Sequence, residues 1–227
     1  MGTLGEKMSG IGMTSTRTRN RMVDRLRADG VRDELVLEAM NATPRHIFVD
    51  EALATRAYED VPLPIGSGQT ISQPWVVARM TELARAGHAL ERVLEIGTGC
   101  GYQTAILARI AGEVYTVERI GALVAKARRN LQSLKVKNVR LMHGDGMADL
   151  GEDLAVDAIV ITAGTPRVPD VLFKYAKEGG RMVLPLAQHG ASGDGVQRLT
   201  VIEVTPDGRR EHTYDAVRFV PLLPGLA

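Results

Sequence analysis

From position 92 onward, short apolar runs alternate with segments whose apolar residues recur every three or four positions, the pattern of βαβ units around a parallel sheet. The runs 92–96, 114–117, 139–142, 158–162 and 182–186 are largely apolar, as strands covered on both faces must be. Helices fit between most of them. Tyr102, Ile106, Leu107 and Ile110 share one helical face before Gly112, and Leu123, Val124, Ala127, Leu131 and Leu134 share another. Beyond the Gly/Ser-rich stretch 190–195, the pattern changes to two longer alternating runs, 197–204 and 211–219, joined through Pro206-Asp207-Gly208, which predict a terminal antiparallel hairpin. Upstream, Met22, Val23 and Leu26, and then Val31, Leu35, Val36, Ala39 and Met40, predict two helices separated by Gly30, with Pro44 following the second. The expected fold class is α/β: a Rossmann-like, doubly wound, mostly parallel sheet with an N-terminal helical subregion and a C-terminal antiparallel hairpin.

A chain of 227 residues suits one such domain with a small appendage. Residues 1–16 are Gly, Ser, Thr and Met without periodicity and read as a flexible leader. Residues 17–227 read as a single domain, with the helical subregion and an active-site loop over 17–90 and the α/β core over 91–227. Lysine plus arginine number 28 against 27 acids, so no global field exists to hold nucleic acid or an anionic membrane, and neither partner is expected. Arg17, Arg19, Arg21, Arg25 and Arg27 form a basic stripe, but Asp24 and Asp29 interrupt it, which favours a solvated helix face over an RNA surface. Cys100 is the single cysteine and can form no internal disulfide; with no signal-peptide pattern and no apolar run of about 18 residues, a cytoplasmic location is expected, and a monomer is the default, the sequence itself being silent on oligomeric state. Five scattered histidines give no metal-ligand spacing.

The most informative segment is 93–102, where a buried strand runs into Gly97, Gly99 and Gly101 and then a helix. Glycines there let the backbone turn sharply and approach a ligand at the carboxyl edge of the sheet. A dinucleotide fingerprint would need its third glycine where Tyr102 stands, whereas this loop reads E-x-G-x-G-x-G from Glu95. That pattern better suits S-adenosylmethionine, whose amino-acid end can lie against the glycines; a tight structural turn is the alternative. Glu118 closes the next strand, where an acid can accept from ribose hydroxyls, in S-adenosylmethionine and NAD alike. In His143-Gly144-Asp145-Gly146, Asp145 is either an acceptor for an adenine amine or a turn residue. The hydroxyl-rich stretch 63–75 leads into a helix carrying Val77, Met80, Leu83 and Ala84 on one face, and Ser72 with Pro74 behind it makes a good N-cap. Capping does not account for Gly68-Gln69-Thr70, which could wall a transfer site.

Taken together, Gly68 to Pro74, Val93 to Gly101, Val117-Glu118-Arg119 and His143-Gly144-Asp145-Gly146, in that order, resemble the protein-L-isoaspartate O-methyltransferases. Further similar stretches are 44–49, 157–160 and 217–222, and Thr70-Ile71-Ser72-Gln73-Pro74 is the specific element. The resemblance implies methyl transfer from S-adenosylmethionine to the free α-carboxylate of isoaspartyl residues in damaged proteins and peptides. The ester closes to a succinimide, which can reopen as aspartate. Ser72 would be the active-site hydroxyl, and Thr70 and Ile71 the donor-side wall. Gly97, Gly99, Glu118, Asp145 and Gly146 would hold the cofactor, and Glu95, Thr98, Gly101 and Arg119 complete the expected cofactor set. Trp75, Cys100 and Gly164-Thr165 depart from the family pattern. Another methyltransferase class, acting on RNA or a small molecule, would keep the Gly97 loop and Glu118 but have no use for the Ser72 segment.

The implied reaction joins a sulfonium cation to a carboxylate anion, so charge is annihilated in the transition state and a dry site should favour it. The carboxylate is already ionised at neutral pH and needs no general base. What remains is alignment, worth about 7–11 kcal/mol in favourable cases.

Overall fold

Seven strands form one sheet in the order β5-β4-β3-β6-β7-β8-β9. They are β3 (Leu90–Ile96), β4 (Ala111–Glu118), β5 (Val139–His143), β6 (Val156–Ile161), β7 (Ala176–Ala187), β8 (Gln197–Thr205) and β9 (Gly208–Val217). The first five run parallel, and β8 and β9 add antiparallel. The computed structural model describes residues 10, 12–151, 153–188 and 196–227. The Gly-rich stretch 190–195 and most of the expected leader lie outside them. Within the leader, Gly12–Thr14 forms a 3-10 turn, and α1 (Thr16–Ala28) starts at Thr16 under an Ser15 cap.

The strands follow the apolar runs because their side chains are buried on both faces: Val93, Leu94, Val114, Ile159 and Val183 are fully covered. On one side α3 (Pro74–Arg85) packs its Val76, Met80, Leu83 and Ala84 on the sheet. Helices α4 (Tyr102–Ile110) and α5 (Gly121–Ser133) follow the strands that end in the glycine turn and in Glu118. The N-terminal helices α1 and α2 (Glu34–Ala42) share a core with them, since Met22, Val36, Met40 and Phe48 pack with Tyr102, Ile106 and Leu123.

Several expectations change. Leu35 is 48% exposed, because Asp33 caps α2 and rotates Val36, Leu37 and Met40 inward instead. The stretch between β6 and β7, where the sequence pattern specifies no helix, carries a 3-10 helix, Asp170–Tyr175. Strand β7 begins six residues before the apolar run, where its polar start pairs with β6 at Val156. The basic stripe is not wholly solvated: Arg19 is buried, and Arg25 donates to the Tyr58 carbonyl at 2.6 Å. Residues 63–71, expected as a loop, form a small antiparallel hairpin of β1 (Leu63–Gly66) and β2 (Gln69–Ile71).

Strand order reverses between β3 and β6, since chain connections leave β3 toward β4 on one side and reach β6 on the other. Open α/β sheets bind ligands in the crevice outside the carboxyl ends at such a point.

Candidate active site

At that crevice the chain doubles back through Gly97 (φ +96°), Gly99 (φ +56°) and Gly101 (φ +89°), backbone angles that side-chain-bearing residues rarely adopt. A Cβ at Gly97 would lie 2.4 Å from Thr162 Oγ1, and one at Gly146 would lie 2.4 Å from Ile96 Cγ2. Both glycines are therefore required by close approach. Thr162, at the end of β6, fastens the turn from the other side, with its Oγ1 2.5 Å from the Gly97 carbonyl and 3.0 Å from the Ile96 carbonyl.

Glu118 is 5% exposed. Its Oε2 accepts the Gly99 N–H and its Oε1 the Ile120 N–H, each at 2.9 Å. Each oxygen keeps a further lone pair for a ligand. A cleft of about 870 Å³, open mouth included, joins these groups to the segment 69–72. Thr70, Ile71 and Ser72 form one wall, and Gly97, Thr98, Gly99, Glu118, Arg119 and Gly146 lie on the same surface. The hairpin is pressed against the glycine turn: a Cβ at Gly99 would lie 3.3 Å from Ile65 Cδ1, and Lys126 Nζ holds the Ile65 carbonyl at 3.0 Å. Two segments distant in sequence thus meet.

Ser72 does not cap α3. The cap residue is Gln73, without a side-chain hydrogen bond, and the Trp75 N–H donates instead to Asp60 Oδ1 at 2.8 Å. The Gln73 side-chain amide donates to Asp60 Oδ2 at 3.4 Å. An acid from another segment takes the amide that Ser72 would have taken, and Ser72 lies on the cleft wall.

Three of the expected cofactor residues are not on the cleft wall. Glu95 is fully buried beneath the turn; its Oε2 accepts from Thr104 Oγ1 at 2.5 Å and Thr116 Oγ1 at 2.6 Å, and Thr98 Oγ1 lies 2.6 Å from Thr116 Oγ1. Its Oε1 has no hydrogen-bond partner, and burial pushes the carboxyl up to about 8. Gly101 faces Ala127 and Leu131 of α5, where a Cβ would meet both at 3.4 Å. Asp145 Oδ1 accepts the Met147 N–H at 2.8 Å, as a turn residue does, and its Oδ2 accepts the Gly225 N–H at 2.7 Å from the C-terminal segment. Arg119 lies on the wall, but its Nε donates to the Gly225 carbonyl at 2.8 Å. Burial pushes the Cys100 thiol up to about 11, so it stays protonated at neutral pH and is no nucleophile.

Sequence reasoning missed Asp60, Thr162 as the clasp of the glycine turn, and the wall contributed by Val220, Pro221, Leu222 and Leu223. The last had a signal in the 217–222 stretch; the first two act through contacts far apart in the chain.

A parallel sheet whose switch point carries a glycine turn over a buried strand-end glutamate is the Rossmann-like site of a ribose-bearing cofactor, and the E-x-G-x-G-x-G spacing places the chain in the S-adenosylmethionine-dependent methyltransferase class rather than among dinucleotide enzymes. The cradle fits that cofactor: glycines stand where a Cβ would fill the space, Glu118 has free lone pairs, and Glu95 leaves one oxygen unpartnered below. The family model described as protein-L-isoaspartate(D-aspartate) O-methyltransferase matches residues 17–226, and the chain belongs to that family. It is 56% identical over 219 residues to a protein-L-isoaspartate O-methyltransferase of Nitrosomonas eutropha, covering 96% of each chain. It is likewise 56% identical over 214 residues to one of Chromobacterium violaceum, covering 94% of each. A solved protein-L-isoaspartate O-methyltransferase superposes with a TM-score of 0.80 at 28% identity, covering 92% of this chain and 67% of that one. The protein is a repair methyltransferase that uses S-adenosylmethionine to methylate isoaspartyl residues of damaged proteins. No helix among the described residues is long and apolar enough to cross a membrane.

Proposed function

We propose that Ser72 orients the isoaspartyl α-carboxylate for methylation, with Thr70 and Ile71 as the wall between acceptor and cofactor. Glu118 holds the ribose hydroxyls, and the backbone of Gly97, Thr98, Gly99 and Gly146 cradles the rest. Glu95 acts from beneath the turn, Gly101 sets the start of α4, and Arg119 and Asp145 hold the C-terminal segment along the rim. When bound, S-adenosylmethionine supplies an electrophilic methyl group on a cationic sulfur.

The observation that carries these assignments is the single cleft shared by the Ser72 segment and the glycine turn. Ser72, Thr70 and Thr162 are neutral, and among the described residues the one cation on the cleft wall, Arg119, is turned to the Gly225 carbonyl. A neutral donor fixes a carboxylate in place without neutralising the charge that makes it nucleophilic. Apolar Ile65, Ile71 and Val77 around it keep the site poor in water, which strengthens the attraction between opposite charges.

The near-zero net charge supports the absence of a nucleic-acid partner, and the single, buried cysteine supports a reducing, cytoplasmic compartment. The test of the site is Ser72→Ala, assayed with an isoaspartyl peptide and its aspartyl twin. Methyl transfer to the isoaspartyl peptide should fall to a small fraction while S-adenosylhomocysteine still binds by calorimetry. Unchanged turnover would remove Ser72 from the site.

A further inference from the structure

A second groove, about 1000 Å³ with its open mouth, shares Thr70, Ser72, Thr162 and Val220 with the cofactor cleft and runs from there along the residues that follow β9. Its other wall carries Trp75 and Phe219. Among the described residues one charged side chain lines it, Arg218, which is exposed and makes no hydrogen bond or ion pair. The neighbouring arginines are spent. Arg79 pairs with Asp215 at 3.0 Å, and Arg198 donates to the Tyr214 carbonyl at 3.3 Å.

From the proposed role of Ser72, on which this rests, we infer that Arg218 reads a second carboxylate on the substrate peptide, beside the one that is methylated. A guanidinium at the reacting oxygen would hold the ground state and oppose transfer, and Arg218 is absent from the wall of the cofactor cleft. Along the groove, a cation with no competing acid among the described residues of the walls favours an acceptor whose charge survives the reaction. The ligand chemistry is a carboxylate supplied by an aspartate or glutamate close to the isoaspartyl residue or by the peptide's own chain end. Because Arg218 is exposed, the contact acts on peptide capture, not on the chemical step, and salt weakens it.

The experiment compares kcat/KM for isoaspartyl peptides that carry Glu or Gln beside the damaged residue, each with a free or an amidated C-terminus, in the natural protein, Arg218→Gln and Arg218→Glu. The natural protein should favour one carboxylate-bearing member of a pair by roughly two- to fivefold, through KM, and lose that preference near 1 M salt. The ratio should approach one in Arg218→Gln and invert in Arg218→Glu. Loss on Glu→Gln assigns the contact to a side chain, and loss on amidation assigns it to the chain end. Equal use of all four peptides by the natural protein, or a preference that persists in Arg218→Gln, overturns the role of Arg218. Turnover that survives Ser72→Ala overturns the underlying site assignment instead, so the two failures are distinguishable.

Discussion

Replacing Asp60 by alanine should damage catalysis more than stability, because one carboxylate, Asp60, holds an amide that one hydroxyl, Ser72, is spaced to accept. The Trp75 N–H at the first turn of α3 is held by Asp60 Oδ1 at 2.8 Å. Ser72 stands three residues before Trp75, the spacing at which an N-cap serine accepts that same N–H. With Asp60 in place the serine is released to the cleft. Removing Asp60 withdraws a cap worth about 0.5–2 kcal/mol and a favourable charge at a helix N-terminus worth about 0.3–1 kcal/mol.

The fold recovers part of that loss when Ser72 swings onto the Trp75 amide, but every molecule in which it does so has lost the proposed orienting hydroxyl. If the competing arrangement is favoured by about 1–2 kcal/mol, the productive fraction falls roughly five- to thirtyfold. Urea unfolding of Asp60→Ala should therefore show a loss near 1 kcal/mol, alongside a fall in kcat of about that factor and little change in S-adenosylhomocysteine affinity. Asp60→Asn retains an acceptor oxygen and should recover much of the activity. In a Ser72→Ala background the same Asp60→Ala change should cost no further activity, since there is no hydroxyl left to misplace. Asp60→Ala with natural kcat, or additive losses in the double variant, would refute the competition.

Glu118→Ala should weaken S-adenosylhomocysteine binding by about 1.5–3 kcal/mol, the range of a hydrogen bond to a charged group, with calorimetry as the check and unaltered affinity counting against the ribose role. Glu95 gives a pH signature. Burial raises its carboxyl from the ordinary 4.5 to about 8, so the folded state holds the proton that the unfolded state releases. The stability contribution is full below about 4.5 and declines as pH rises toward 8, by up to about 1.4 kcal/mol per pH unit. Glu95→Gln should remove that slope, and parallel pH profiles of the melting temperature for the two proteins would sink the assignment.

Much of the core was legible because the five parallel strands are covered on both faces and must be apolar throughout. The pattern failed where that requirement lapses. The start of β7, with Lys177, Glu178, Gly179 and Gly180, is polar at the sheet's end, so only its inner half announced itself. The β1–β2 hairpin was hidden because its turn uses Gly66, Ser67 and Gly68, all at positive φ, which read locally as loop chemistry. Leu35 fitted a helical face by spacing, but Asp33 fixed where the helix began and so which face turned inward.

The site shows a sharper limit. A glycine motif reports where the chain must turn, but not which of its members faces the ligand. In E-x-G-x-G-x-G, Gly97 and Gly99 reach the cleft, Glu95 lies below it among three threonines, and Gly101 turns toward α5. One matched stretch thus divides into wall and support, according to where the strand ends at Ile96 and the turn begins, and to helix packing after it. Ser72 shows the converse. Its local sequence makes it a good cap, and an acid twelve residues upstream overrides that preference by taking the amide first. A side chain's local use was readable from its neighbours, whereas its freedom from the cap depended on a partner that only the folded chain supplies.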